Sequence, residues 1–169
     1  MAKSTRNKGL VADSTRMHLV AFDEEDIEII SAHLQDAITR VGDITFIPAA
    51  RRFALVASRF DWAAAVDGAL RRRLSGLHFD YVRGVRRSGF DQGDGESVLN
   101  LLSIAFDAGD APSGQVTLYF SAGAAIRLDV ECIDAQLHDL GPEWRTRARP
   151  EHDLPDTDTP SSEGAGDAN

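Results

Sequence analysis

Apolar and polar positions change period several times along this chain, and each change marks an element. The longest patterned stretch runs from Ile27 to Trp62. Ahead of it, Met17–Phe22 (MHLVAF) is a short apolar run that reads as a first strand. The acidic run Asp23–Asp26 follows, and two readings stay open there. Asp23 would cap a helix with Ile27, Ile30, Leu34, Ala37 and Ile38 as its stripe. Alternatively, Ile30, Ala32 and Leu34 alternate along a strand that turns at Gln35-Asp36. The β-branched isoleucines and the strongly β sequence downstream tip the balance slightly toward the strand. Ala37–Ile47 reads as a strand bent at Gly42-Asp43, and Pro48–Arg52 as a turn. Phe53–Phe60 returns with Phe53, Leu55, Ala57 and Arg59 on one face, which makes this the best-defined pair of elements.

Residues 63–75 fit a short helix or a loop equally well. Leu77–Val85 alternates as a strand, and RRSGFDQGDGES is a loop by its glycines and aspartates. Val98–Phe106 reads as a buried strand. Val116–Phe120 and Ala125–Val130 form a hairpin around Ser121–Ala124. From Glu131 the period lengthens: Ile133, Leu137 and Leu140 sit at helical spacing, with Gly141-Pro142 as a stop. The sum is an α+β domain, mainly antiparallel β. It would be a sheet or small barrel of about seven strands with a C-terminal amphipathic helix, in a pleckstrin-homology-like order. Residues 1–16 are expected as a flexible N-terminal tail, 17–152 as a single globular domain and 153–169 as a disordered acidic tail.

Charge changes the picture. The net charge of −9 is spread very unevenly. Residues 1–50 sum to −3, residues 51–90 to +6 and residues 91–169 to −12, and every basic residue of the middle segment is arginine. An acidic total argues against whole-protein affinity for nucleic acid, while the arginine segment leaves a local patch open. One cysteine, Cys132, excludes an internal disulfide framework and suits a reducing compartment. No apolar run reaches the length of a membrane span and no secretory h-region is present, so a cytoplasmic protein without membrane contact is expected.

Candidate chemistry is sparse. There is no Walker-type loop, dinucleotide fingerprint or HExxH, and one cysteine cannot build a thiolate zinc site. No catalytic residue, metal site or cofactor is therefore expected. Ser31, His33 and Asp36 lie close in sequence, yet a triad normally draws its members from separate elements. They read better as a polar face beside a turn. Cys132 reads as a packed thiol. The candidate binding residues are Arg51, Arg52, Arg59, Trp62, Arg71, Arg72 and Arg73. Arginine presents a planar fork of donors to carboxylate or phosphate, and tryptophan a stacking face. Against this, the chain's many carboxylates can neutralise these arginines, and Arg59, in line with Leu55, suits a half-buried ion pair.

The words ISAHLQDA, RRFALVASRF-DW, GLHF, VLNLLSIAF, IRLDVECIDAQLHDLG and ARPEHD occur here in order. Together they resemble DUF2948, a family of small alphaproteobacterial proteins of unknown function. The resemblance spans about residues 17–153 and implies a bacterial cytoplasmic protein. It brings no activity, cofactor or site residue with it. Three functions remain in view. The first is a non-enzymatic binding or regulatory module contacting a protein partner. The second is a binder of an anionic small molecule or nucleic acid through the arginines, and the third is an enzyme with an unrecognised site.

Overall fold

The computed structural model describes residues 16–145 and 150, so both expected tails, apart from Arg16, lie outside the described residues. Ten antiparallel strands form one sheet: β1 (His18–Ala21), β2 (Ala37–Arg40), β3 (Ile44–Ile47), β4 (Arg52–Phe60), β5 (Arg71–Phe79), β6 (Val82–Ser88), β7 (Val98–Ala108), β8 (Gly114–Phe120), β9 (Ala125–Val130) and β10 (Ala135–Arg145). Two helices accompany them, α1 (Glu24–Leu34) and α2 (Trp62–Val66). The order across the sheet is β1-β10-β5-β4-β2-β7-β8-β9-β6, and β3 pairs with the free part of the β4 edge. Mainly antiparallel β is thus the architecture, and the sheet does not close into a barrel. Helix α1 packs on β7 and also reaches β1 and β4. A helix can touch strands so far apart in the order only if the sheet coils around it.

The helical reading wins for residues 24–34. Asp23 caps the helix by accepting from Asp26 N at 2.8 Å, and Asp26 reaches back to Phe22 N at 3.0 Å. Ile27, Ile30 and Leu34 then drop into the core at helical spacing. Local capping and the buried stripe outweigh the β preference of the isoleucines.

The C-terminal helix expected from Glu131 is instead strand β10. Its burial has period two, with Ile133, Ala135, Leu137 and Asp139 buried, and Leu140, counted in the helical stripe, 43% exposed. β10 slots between β1 and β5, where backbone pairing on both sides overrides the helical spacing. Gly141-Pro142 marks a register shift between Asp139 and Glu143 rather than a helix stop. With a strand there, the element order departs from the pleckstrin-homology-like one.

Two further boundaries moved. The arginine run opens β5, and the stretch expected as one strand at 77–85 is divided at Asp80-Tyr81, with Tyr81 at φ 57°, into the end of β5 and the start of β6, which pair with different strands. β7 is half exposed, with Val98 and Leu102 facing outward. The bend at Gly42-Asp43 is a 3-10 turn between β2 and β3, clasped by the GDGES loop. Val41 N donates to Ser97 O and Gly42 N to Gly95 O, both at 2.9 Å. A Cβ at Gly42 would meet the Gly95 carbonyl at 3.0 Å, so any other residue there would have to push the clasp apart by a few tenths of an ångström.

Candidate functional site

The inward face of β4, β5 and β10 changes character along its length. Phe53, Phe79 and Ala135 form one row across the three strands, and Leu55, Leu77 and Leu137 the next. The third row is Ala57, Ser75 and Asp139, and Arg59 and Arg73 face each other beyond it. The apolar core therefore ends in a buried polar network. Arg59 donates Nε to Asp139 Oδ1 at 3.0 Å and Nη2 to Oδ2 at 2.9 Å. Ser75 Oγ donates to Asp139 Oδ1 at 2.7 Å while accepting from Arg59 Nε at 3.1 Å. Met17 N adds a bond to Asp139 Oδ2 at 2.9 Å. A second pair joins Arg73 Nε to Asp61 Oδ2 at 2.7 Å, and Asp61 also caps α2 by accepting from Ala64 N at 3.1 Å. Arg59 and Arg73 are 3% and 2% exposed, a burial that their ion pairs with Asp139 and Asp61 make tolerable.

Arg59, Asp61 and Arg73 of this network floor a cavity of about 500 Å³. Its walls include His33 from the last turn of α1, Met17, the α2 residues Ala63 and Ala64, Asp67 and Ala69 from the α2–β5 connection, and Arg71 at the start of β5. Burial pushes both Asp61 and Asp139 upward, but the hydrogen bonds and charges around them more than reverse it. Arg73, the Ala64 N–H and the charge of Arg59 hold Asp61 low; Arg59, the Met17 N–H and the Ser75 hydroxyl do the same for Asp139. Burial and the charge of Arg59 lower His33, against the pull of Asp61 and Asp139, so its imidazole is neutral at pH 7. The cavity thus offers fixed ions of both signs and one neutral ring. Of the residues that line it, none carries a hydroxyl or thiol.

The arginines marked in the sequence separate into two places. Arg59, Arg71 and Arg73 meet at the cavity, next to Trp62 on α2, whose ring packs edge-on against Phe60 at 4.6 Å. Arg51 and Arg52 lie at the other end of β4, about 23 Å away along an extended strand. There Arg51 pairs with Glu131 and lies over the Tyr81 ring, and Arg52 grips Asp80 with bonds of 2.7 and 3.1 Å. Arg72 points to the opposite face and donates to Ser58 O at 3.1 Å. Ser31, His33 and Asp36 do not converge. Ser31 Oγ accepts from Ile104 N at 2.8 Å, His33 faces the cavity, and Asp36 takes a left-handed turn at φ 62°. Cys132 lies elsewhere, its thiol raised by burial and by Asp134 and Glu131. Among the described residues no group of three or more His, Cys, Asp or Glu is placed to hold a metal ion.

Sequence reasoning missed Ser75 and misplaced Asp139, which it had put in a helix. The alternation of RRRLSGLHF held the signal: Arg73 and Ser75 stand in phase with Leu77 and Phe79. Among the described helices none is long and apolar enough to cross a membrane. No curated protein and no solved structure matches the chain. A family model described as "Protein of unknown function (DUF2948)" matches residues 17–152, from the first strand of the sheet past its last. With that match covering most of its length, the chain belongs to the DUF2948 family.

Proposed function

We propose that this protein is a non-enzymatic binding module that seats a segment of a protein partner in the cavity at the polar end of its core. The observation that carries the reading is the doubly ion-paired floor. Arg59 and Asp139, and Arg73 and Asp61, neutralise one another and hold a charge-balanced surface. Such a floor is preorganised for hydrogen bonding, while its balanced charge gives little long-range pull on polyanions. Val66, 86% exposed on α2, adds an apolar lip beside the mouth that a partner would cover. The lone cysteine supports a cytoplasmic setting.

A tagged full-length chain, used as bait in its native lysate beside Ala69→Trp, tests the reading. The tryptophan would fill the cavity without touching the ion pairs. A stoichiometric protein recovered by the wild type and lost with Ala69→Trp is the expected result. Equal recovery by both, or none by either, refutes it. His33 favours a second reading, since a neutral half-buried imidazole lining a cavity with the fixed Asp61 carboxylate is placed for general-base work. Turnover of a co-purified small molecule that disappears in His33→Gln would establish that reading instead.

A further inference from the structure

The outer face of the sheet carries a different kind of site at β8, β9 and β6. In register across these strands stand Thr117, Arg127 and Arg86. Directly opposed residues on neighbouring strands bring their Cβ atoms to about 5 Å, and like charges there repel. Arg127 and Arg86 nonetheless face each other, and among the described residues neither has an ion-pair or hydrogen-bond partner. Asp129, one row along, is engaged by Arg83 at 2.9 Å. Thr117 is 2% exposed, and its Oγ1 has no hydrogen-bond partner among the described residues. Its side chain lines a concavity of about 400 Å³ together with Arg86, Arg87, Arg127 and Tyr119.

Each of these features is unfavourable alone. An unsatisfied buried hydroxyl loses its hydration, and two opposed guanidinium groups raise the local potential. A single oxyanion between them relieves both, because it accepts from the guanidinium forks and from the threonine O–H. Tyr119, 42% exposed beside Thr117, offers a flat face next to that position. The volume lies within the range of small-molecule sites and exceeds what a bare anion needs. We propose that Arg86, Arg127 and Thr117 form a binding site for the phosphate group of a small phosphate monoester, with Tyr119 flanking its organic part. The site stands apart from the cavity on the inner face and does not depend on how that cavity is used.

The test uses the full chain in low-salt buffer, followed by amide correlation spectra. Inorganic phosphate and a ribonucleoside 5′-monophosphate are added separately, with sodium chloride matching the ionic strength in a control. Saturable shifts at Arg86, Thr117, Tyr119 and Arg127 are expected with both phosphates and not with chloride. The monophosphate should bind tighter, and Arg86→Gln with Arg127→Gln should weaken both by about tenfold or more. Thr117→Val separates ligand binding from folding. It removes a hydroxyl without a partner, so the unfolding midpoint without phosphate should hold or rise while phosphate affinity falls. Shifts that follow ionic strength alone, shifts elsewhere, or unchanged binding by the double variant would overturn the proposal. So would a single-stranded oligonucleotide that binds these residues far more tightly than the monophosphate, since the site would then belong to nucleic acid.

Discussion

Removing the Asp139 carboxylate is the sharpest perturbation of the inner network. Asp139 accepts from Arg59 twice, from Ser75 and from Met17 N, at 2.7 to 3.0 Å. Asp139→Ala therefore strands a guanidinium that is 3% exposed. Deleting one partner of a buried ion pair costs about 3–5 kcal/mol, mostly the penalty of the charge left behind. For a domain of this size that is a fall in Tm of roughly 10–20 °C. The same physics predicts that the network is replaceable. Arg59→Met, Ser75→Ala and Asp139→Leu together remove both charges and the hydroxyl in similar volume and leave only the partly buried Met17 N–H without its acceptor, so the triple variant should return to within about 1–2 kcal/mol of wild type. Chemical denaturation of both variants at pH 7 supplies the comparison. A loss below about 1 kcal/mol in Asp139→Ala would mean that the pair is hydrated in solution. A triple variant as unstable as the single one would mean that the ions stabilise beyond mutual compensation. If it is stable but has lost its partner in the lysate experiment, the ion pairs are kept for binding.

Stability should fall in two stages on acidification. His33 and His78 have lowered folded pKa values, so the unfolded chain takes up protons first and stability drops once the pH passes below about 6.5. Asp61 and Asp139 have depressed folded values, so their contribution is complete above about 3.9 and is lost as the pH falls through the lower folded pKa. Denaturant midpoints from pH 7 to 3 read both stages, and a flat profile between pH 7 and 5 would remove the histidine stage. Gly114→Ala should cost about 1–3 kcal/mol by overpacking, because the new Cβ would lie 2.5 Å from the Asp107 carbonyl and the Phe106 ring. An unchanged unfolding midpoint in that variant would place β7 and β8 further apart than described.

Hairpins were the most legible part of the chain. Ala125–Val130 was read with its observed bounds, and Phe53–Phe60 fell one residue short, because turn residues and strict alternation are local signals. What failed was the choice of period where two fitted. In residues 24–34 the cap and buried stripe settled the matter, and in 135–145 it was the two flanking strands that did. The second depends on β1 and β5, more than a hundred and more than fifty residues upstream, and no local window contains that information. Arg59 was legible as an inward ion-pair residue, but its partner was not, since Asp139 lies 80 positions away. The Arg86–Arg127 opposition was hidden for the same reason: it exists only once the β6–β9 register is known.

The place of β10 also has a consequence for synthesis. A ribosome completes β5 at Phe79 and reaches β10 at Ala135 only after 55 further residues. At about 5–20 residues per second that is an interval of roughly 3–11 s. Throughout it, one long edge of β5 has no strand to pair with, and an open edge invites pairing with other chains. The first three residues along that edge are Arg71, Arg72 and Arg73. Charges of one sign at a strand edge discourage such pairing. The arginine run would then act before the fold exists, as a guard on the growing chain.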